Sequence, residues 1–120
     1  MASVLVVEDE AFTALALVDE LSDLGHEVRD AMDGAAAIGV MKSFAPDILV
    51  TDLMMPNMGG GELIRHVRAL SGRPIPVVLI TGVPEAKLPS DVSYDAYLGK
   101  PVDHEALGRV IDRLVATNKA

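Results

Sequence analysis

The chain has 120 residues, half of them hydrophobic and 23% charged, which suits one domain with its own core and excludes a disordered chain. Eighteen acidic against ten basic residues leave a net charge of −8, the wrong sign for gripping a phosphate backbone, so direct nucleic-acid binding is not expected. Cysteine is absent, which rules out disulfides and thiolate metal sites. No apolar run reaches the ~18 residues of a membrane span. Met1-Ala2-Ser3 leads straight into a strand-like run without a secretory signal, so a cytoplasmic domain with no membrane insertion is expected.

In chain order, residues 4–7 form an apolar run that reads as a buried strand. Residues 11–24 follow with Phe12, Leu15, Val18 and Leu21 at helical spacing. A short half-polar strand is expected over 26–31. Asp33 can cap a second helix running through Ile38 to about Ser43, which Pro46 stops. Residues 47–51 read as the third strand. Gly59, Gly60 and Gly61 end a loop, and 62–70 has helical character through Leu63, Ile64 and Val67. After a break over 71–74, residues 77–80 form another apolar strand. Pro84 and Pro89 interrupt any helix over 82–95. A short strand surrounds Tyr97, and residues 103 to about 117 form a last helix with Leu107, Val110, Ile111 and Leu114 on one side. This β-then-α alternation predicts an α/β fold, a parallel sheet covered by helices on both faces.

Polar residues close the strands in a regular way. Glu8 and Asp9 follow the first, Asp52 the third, Thr81 the fourth and Lys100 the fifth. Parallel strands bring these residues to one edge, where open α/β sheets bind ligands. Two unit charges ~4 Å apart repel by roughly 4 kcal/mol at an effective dielectric of 20. Three carboxylates so placed call for a cation, and an all-oxygen donor set at an open edge favours Mg²⁺. A carboxylate can itself act as nucleophile and form an aspartyl phosphate. Thr81 would then offer a hydroxyl to one phosphoryl oxygen, and Lys100 a compact positive charge to another.

The runs VLVVEDE (4–10), LGHEV (24–28), PDILVTDLMMPNMGGGEL (46–63), ITG (80–82) and YLGKP (97–101) occur in that order. Together they resemble the receiver domain of two-component response regulators over essentially the whole chain, read as one domain over 1–120. The resemblance implies a flavodoxin-like (βα)5 three-layer sandwich with a five-stranded parallel sheet of order 2-1-3-4-5. It implies that Asp52 is the phosphoacceptor, that Asp9 ligates Mg²⁺ directly and that Glu8 holds a metal-bound water. Asp52 and the backbone carbonyl of Met54 would be further metal ligands. Thr81 and Lys100 match the phosphate-binding hydroxyl and lysine, Lys100-Pro101 the family's cis peptide, and Tyr97 the aromatic switch residue that moves with Thr81. The implied phosphodonor is the phosphohistidine of a sensor histidine kinase or phosphotransfer protein, and the implied output is contact with a downstream protein. Such a domain catalyses only its own phosphorylation and dephosphorylation.

Two features depart from the family pattern. Thr81 and Lys100 stand 19 positions apart, a shorter interval than usual, with Pro84 and Pro89 inside it. The helix between the fourth and fifth strands is therefore expected to be absent or cut to about one turn, as in abbreviated receivers that occur alone or in hybrid kinases. Where the family often carries an acid, Met58 is followed by Gly59. Two other functions compete. An aspartyl-phosphate phosphatase would need a second acid two residues after Asp52, where Met54 stands. A docking module of the same fold would work without phosphorylation. His26, His66 and His104 have no ligand spacing, and no GK[ST] follows the glycines to make a phosphate loop.

Overall fold

The computed structural model describes residues 1–70, 72 and 74–119, so the expected break over 71–74 lies partly outside the described residues. Five strands form one sheet: β1 (Ser3–Val7), β2 (Glu27–Ala31), β3 (Ile48–Asp52), β4 (Val77–Thr81) and β5 (Ala96–Gly99). Their order is β2-β1-β3-β4-β5 and every pairing is parallel. This is the expected flavodoxin-like arrangement. β1, β3 and β4 are interior strands, which is why they are apolar on both faces; all residues of β3 and β4 are buried.

Side-chain alternation along these strands divides the core in two. Leu5, Val7, Leu49, Val77 and Leu79 point to one face, where Ala37, Leu63, Ile64 and Val67 cover them. Those covering residues belong to α2 (Gly34–Val40) and α3 (Gly60–Arg68). Val4, Val6, Ile48, Val50, Val78 and Ile80 point to the other face and meet Leu17, Leu21, Leu107 and Ile111. These come from α1 (Ala11–Asp23) and α4 (His104–Lys119). The result is three layers.

Three local findings refine the sequence reading. α1 buries Ala14, Leu17 and Leu21, whereas Phe12 and Leu15 are 81% and 58% exposed. Leu17 and Leu21 join the core on that face of the sheet, and the stripe through Phe12 and Leu15 is left outside. α3 starts at Gly60, two residues before the expected start at 62. Between β4 and β5 there is one 3-10 turn, Glu85–Lys87, and no α-helix, as the two prolines predicted.

The segment that replaces the helix is held by side chains. Arg65 Nη1 lies 3.3 Å from Asp91 Oδ2, and Arg68 Nη2 lies 3.0 Å from Asp95 Oδ2. The same Asp95 oxygen accepts from the Val77 amide at 2.7 Å, tying the segment to the start of β4. Val83, Leu88, Val92, Tyr94 and Tyr97 pack on the α2–α3 side of the core. Tyr94 donates its hydroxyl to Glu85 at 2.8 Å, a bond to a carboxylate that raises the phenol pKa.

Candidate functional site

Strand register assembles the site. Val7 pairs with Thr51, Asp52 with Ile80, and Thr81 with Gly99. Glu8 therefore leaves β1 beside Asp52 at the end of β3, and Lys100 leaves β5 beside Thr81. The Lys100 Nζ donates to Glu8 Oε1 and to Asp52 Oδ2, each at 2.6 Å. The other oxygen of each carboxylate is also occupied: Asp52 Oδ1 accepts from the Leu53 amide at 2.6 Å, and Glu8 Oε2 from the Glu10 amide at 2.9 Å. Asp9 completes the group, with one oxygen from each of Glu8, Asp9 and Asp52 lying within 4.8 Å of the others.

Glu8 and Asp52 are 1% and 6% exposed, while Asp9 faces solvent. Burial raises the pKa of the Glu8 carboxyl, and it outweighs the hydrogen bonds from Lys100 and Glu10, which pull the other way. For Lys100, burial works against the charge, but the bonds to Asp52 and Glu8 outweigh it and raise its pKa. The ammonium is thus the cation of the cluster. No buried side-chain nitrogen or oxygen among the described residues lacks a partner.

Thr81 and Tyr97 meet at a single residue. Thr81 Oγ1, itself buried, accepts from the Val83 amide at 3.1 Å, and the Tyr97 hydroxyl donates to the Val83 carbonyl at 2.6 Å. The Thr81 carbonyl accepts from the Lys100 amide at 2.9 Å. The Lys100-Pro101 peptide is cis. Met54 follows the β3 edge with its side chain exposed, whereas Met55 and Met58 pack on the core. Glu10, exposed beside the cluster, caps α1 by accepting from the Thr13 amide at 2.7 Å; that bond holds its carboxyl below the usual pKa. A groove of about 310 Å³ lined by Phe12, Thr13, Ala16, Lys100, Pro101 and Val102 opens alongside.

Glu8, Asp9, Asp52 and Lys100 are therefore gathered at one point, and Thr81 and Tyr97 are linked through Val83. Sequence reasoning missed Val83, because its contribution is made by the backbone and no residue type announces it. It also passed over Asn57, although asparagine in a turn is a residue suited to left-handed backbone.

The comparisons with known proteins agree with the fold. The family model for the response regulator receiver domain matches residues 4–112, and the chain belongs to that family. It is 35% identical to the sensor histidine kinase RcsC of Salmonella typhi over 111 residues, which are 90% of this chain and 12% of that protein. It is 36% identical to the response regulator MprA of Mycobacterium avium over 107 residues, 87% of this chain and 46% of that one. The chain thus spans less than half the length of these relatives. The chemotaxis response regulator CheY4 of Vibrio cholerae superimposes with a TM-score of 0.86 at 29% identity, covering 95% of this chain and 98% of that one. The receiver domain of a Syntrophus aciditrophicus signal transduction histidine kinase gives 0.85 at 27% identity, covering 98% and 92%. No helix among the described residues is long and apolar enough to cross a membrane.

Proposed function

We propose that residues 1–120 act as one receiver domain, a cytoplasmic switch that takes a phosphoryl group onto Asp52 from a phosphohistidine. The observation that carries this reading is the position of Lys100 Nζ, 2.6 Å from both Glu8 and Asp52, with Asp9 in the same cluster. An oxygen of Asp52 forms the O–P bond as the donor's N–P bond breaks, and the electron pair of that bond stays on the imidazole nitrogen. Lys100 neutralises charge on the incoming phosphoryl oxygens. Thr81 Oγ1 takes its hydrogen bond from Val83 as acceptor, so its own proton serves a phosphoryl oxygen.

The donor set fits a hard divalent cation: three carboxylates with oxygens within 4.8 Å of one another, supplemented by a backbone carbonyl. Glu8, Asp9, Asp52 and the carbonyl of Met54 would hold Mg²⁺, which when bound adds positive charge against the carboxylates and the transferred group. The switch runs through Val83. A Thr81 drawn toward a phosphoryl group pulls on the Val83 amide, and the carbonyl of the same residue holds Tyr97. Such a movement alters the 82–95 segment, β5 and α4, and so the preference for a downstream protein. The phosphodonor is a sensor histidine kinase or phosphotransfer protein.

Acetyl phosphate or beryllofluoride with Mg²⁺, followed by amide chemical shifts, tests the reading. The wild-type chain is expected to respond only when Mg²⁺ is present, and Asp52→Asn not at all. A response that persists in Asp52→Asn would remove Asp52 as acceptor.

A further inference from the structure

The loop between β3 and α3 is anchored at both ends. At its base the Leu53 carbonyl accepts from the Gly60 amide at 2.8 Å, closing the loop onto the acceptor strand. Its tip is held by the start of α2. Asn57 Nδ2 donates to Asp33 Oδ2 at 2.8 Å, and the Gly34 amide donates to the Met58 carbonyl at 2.9 Å. The contact is close: a Cβ at Gly34 would fall 2.6 Å from Met58 Cγ. Asp33 Oδ1 meanwhile accepts from the Ala36 amide at 2.8 Å, so one carboxylate joins the helix start to the loop tip.

Asn57 carries the backbone cost of this arrangement. With φ of 64° it is the one non-glycine residue with positive φ among the described residues. Asparagine tolerates that region better than most residues, but its surroundings must still hold it there. Met54 lies between base and tip with an exposed side chain, so the course of its backbone depends on the two anchors.

We propose that Asp33 and Asn57 are positioning residues of the acceptor loop, their hydrogen bond placing the Met54 carbonyl for the cation of the acidic cluster. The inference rests on the receiver reading above. Neither residue touches the acceptor; both act through the loop backbone.

The test is a Mg²⁺ titration of the full chain, read by the Leu53 amide shift and by calorimetry rather than by phosphorylation. Asn57→Gly keeps a backbone suited to positive φ and removes the amide. Its Mg²⁺ Kd is expected to rise about tenfold, the lower end for partners outside the ligand set. The exchange Asp33→Asn with Asn57→Asp conserves net charge, keeps a capping oxygen at 33 and restores an amide–carboxylate pair with the roles reversed. It is expected to bind Mg²⁺ as the wild type does, and it decides the matter if Asn57→Gly unfolds early. Unchanged affinity in a folded Asn57→Gly, or a folded exchange variant that binds about tenfold more weakly, overturns the inference alone. A wild-type chain that ignores Mg²⁺ overturns the receiver reading and this inference with it.

Discussion

At the scale of single residues, the site is a compromise between burial and charge. Glu8 is almost wholly buried and its carboxyl pKa is pushed up, yet Lys100 lies 2.6 Å away and is held in its charged form by two carboxylates. Glycine at 60 belongs to the same neighbourhood. A Cβ there would overlap the Asp52 carbonyl oxygen and lie 2.9 Å from Leu53 Cα, and these backbone atoms cannot swing aside as a side chain can. Gly60→Ala is expected to lose about 3 kcal/mol, the upper part of the overpacking range, in urea unfolding. Gly39→Ala is the contrast. Nothing lies within 4 Å of a Cβ there, so the helix should gain about 0.5–1 kcal/mol. The charged residues at the strand ends were legible in the sequence because their types are rare in a buried β edge. The need for Gly60 was not, because it is set by a carbonyl eight residues earlier in the chain.

At the scale of elements, ends and interruptions were more legible than faces. Pro84 and Pro89 foretold the missing helix, and what stands there is the single turn Glu85–Lys87 with Asp91 and Asp95 paired to α3. Asp33 was readable as a cap, and its side chain accepts from the Ala36 amide. That bond first, and the amide of Asn57 second, hold its carboxyl below the ordinary value of 3.8. A depressed folded-state pKa contributes stability that is complete above the unfolded value and lost as pH falls through the folded one. Wild type should therefore exceed Asp33→Ala in thermal midpoint by a constant margin from neutral pH down to about 5, and the margin should shrink below about 4. A margin that stays flat to lower pH would mean that the charge on Asp33 does not matter. Which face of α1 is buried was not legible, because Phe12 and Leu15 satisfy helical spacing as well as Leu17 and Leu21 do. Only in the folded chain do Leu17 and Leu21 join the core while Phe12 and Leu15 stay exposed.

At the scale of the whole molecule, the sheet divides the core into two bodies that share strands but not side chains. Ile64 belongs to one and Ile111 to the other. Ile64→Val and Ile111→Val should each lose about 0.5–1.5 kcal/mol, and the double variant should lose their sum within about 0.5 kcal/mol. A clear excess over the sum in urea unfolding would show that strain passes through the sheet.

Period and punctuation alone determined the β-then-α alternation, the apolar interior strands and the identity of the charged residues at their ends. Local propensity and the chain's own covalent order dictate such features. Tertiary structure decided which stripe of α1 is buried, that helix α3 begins against Asp52, and that the backbone of Val83 joins Thr81 to Tyr97. Each of these depends on contacts that local propensity does not specify, and packing sets those contacts only once all five strands are in register.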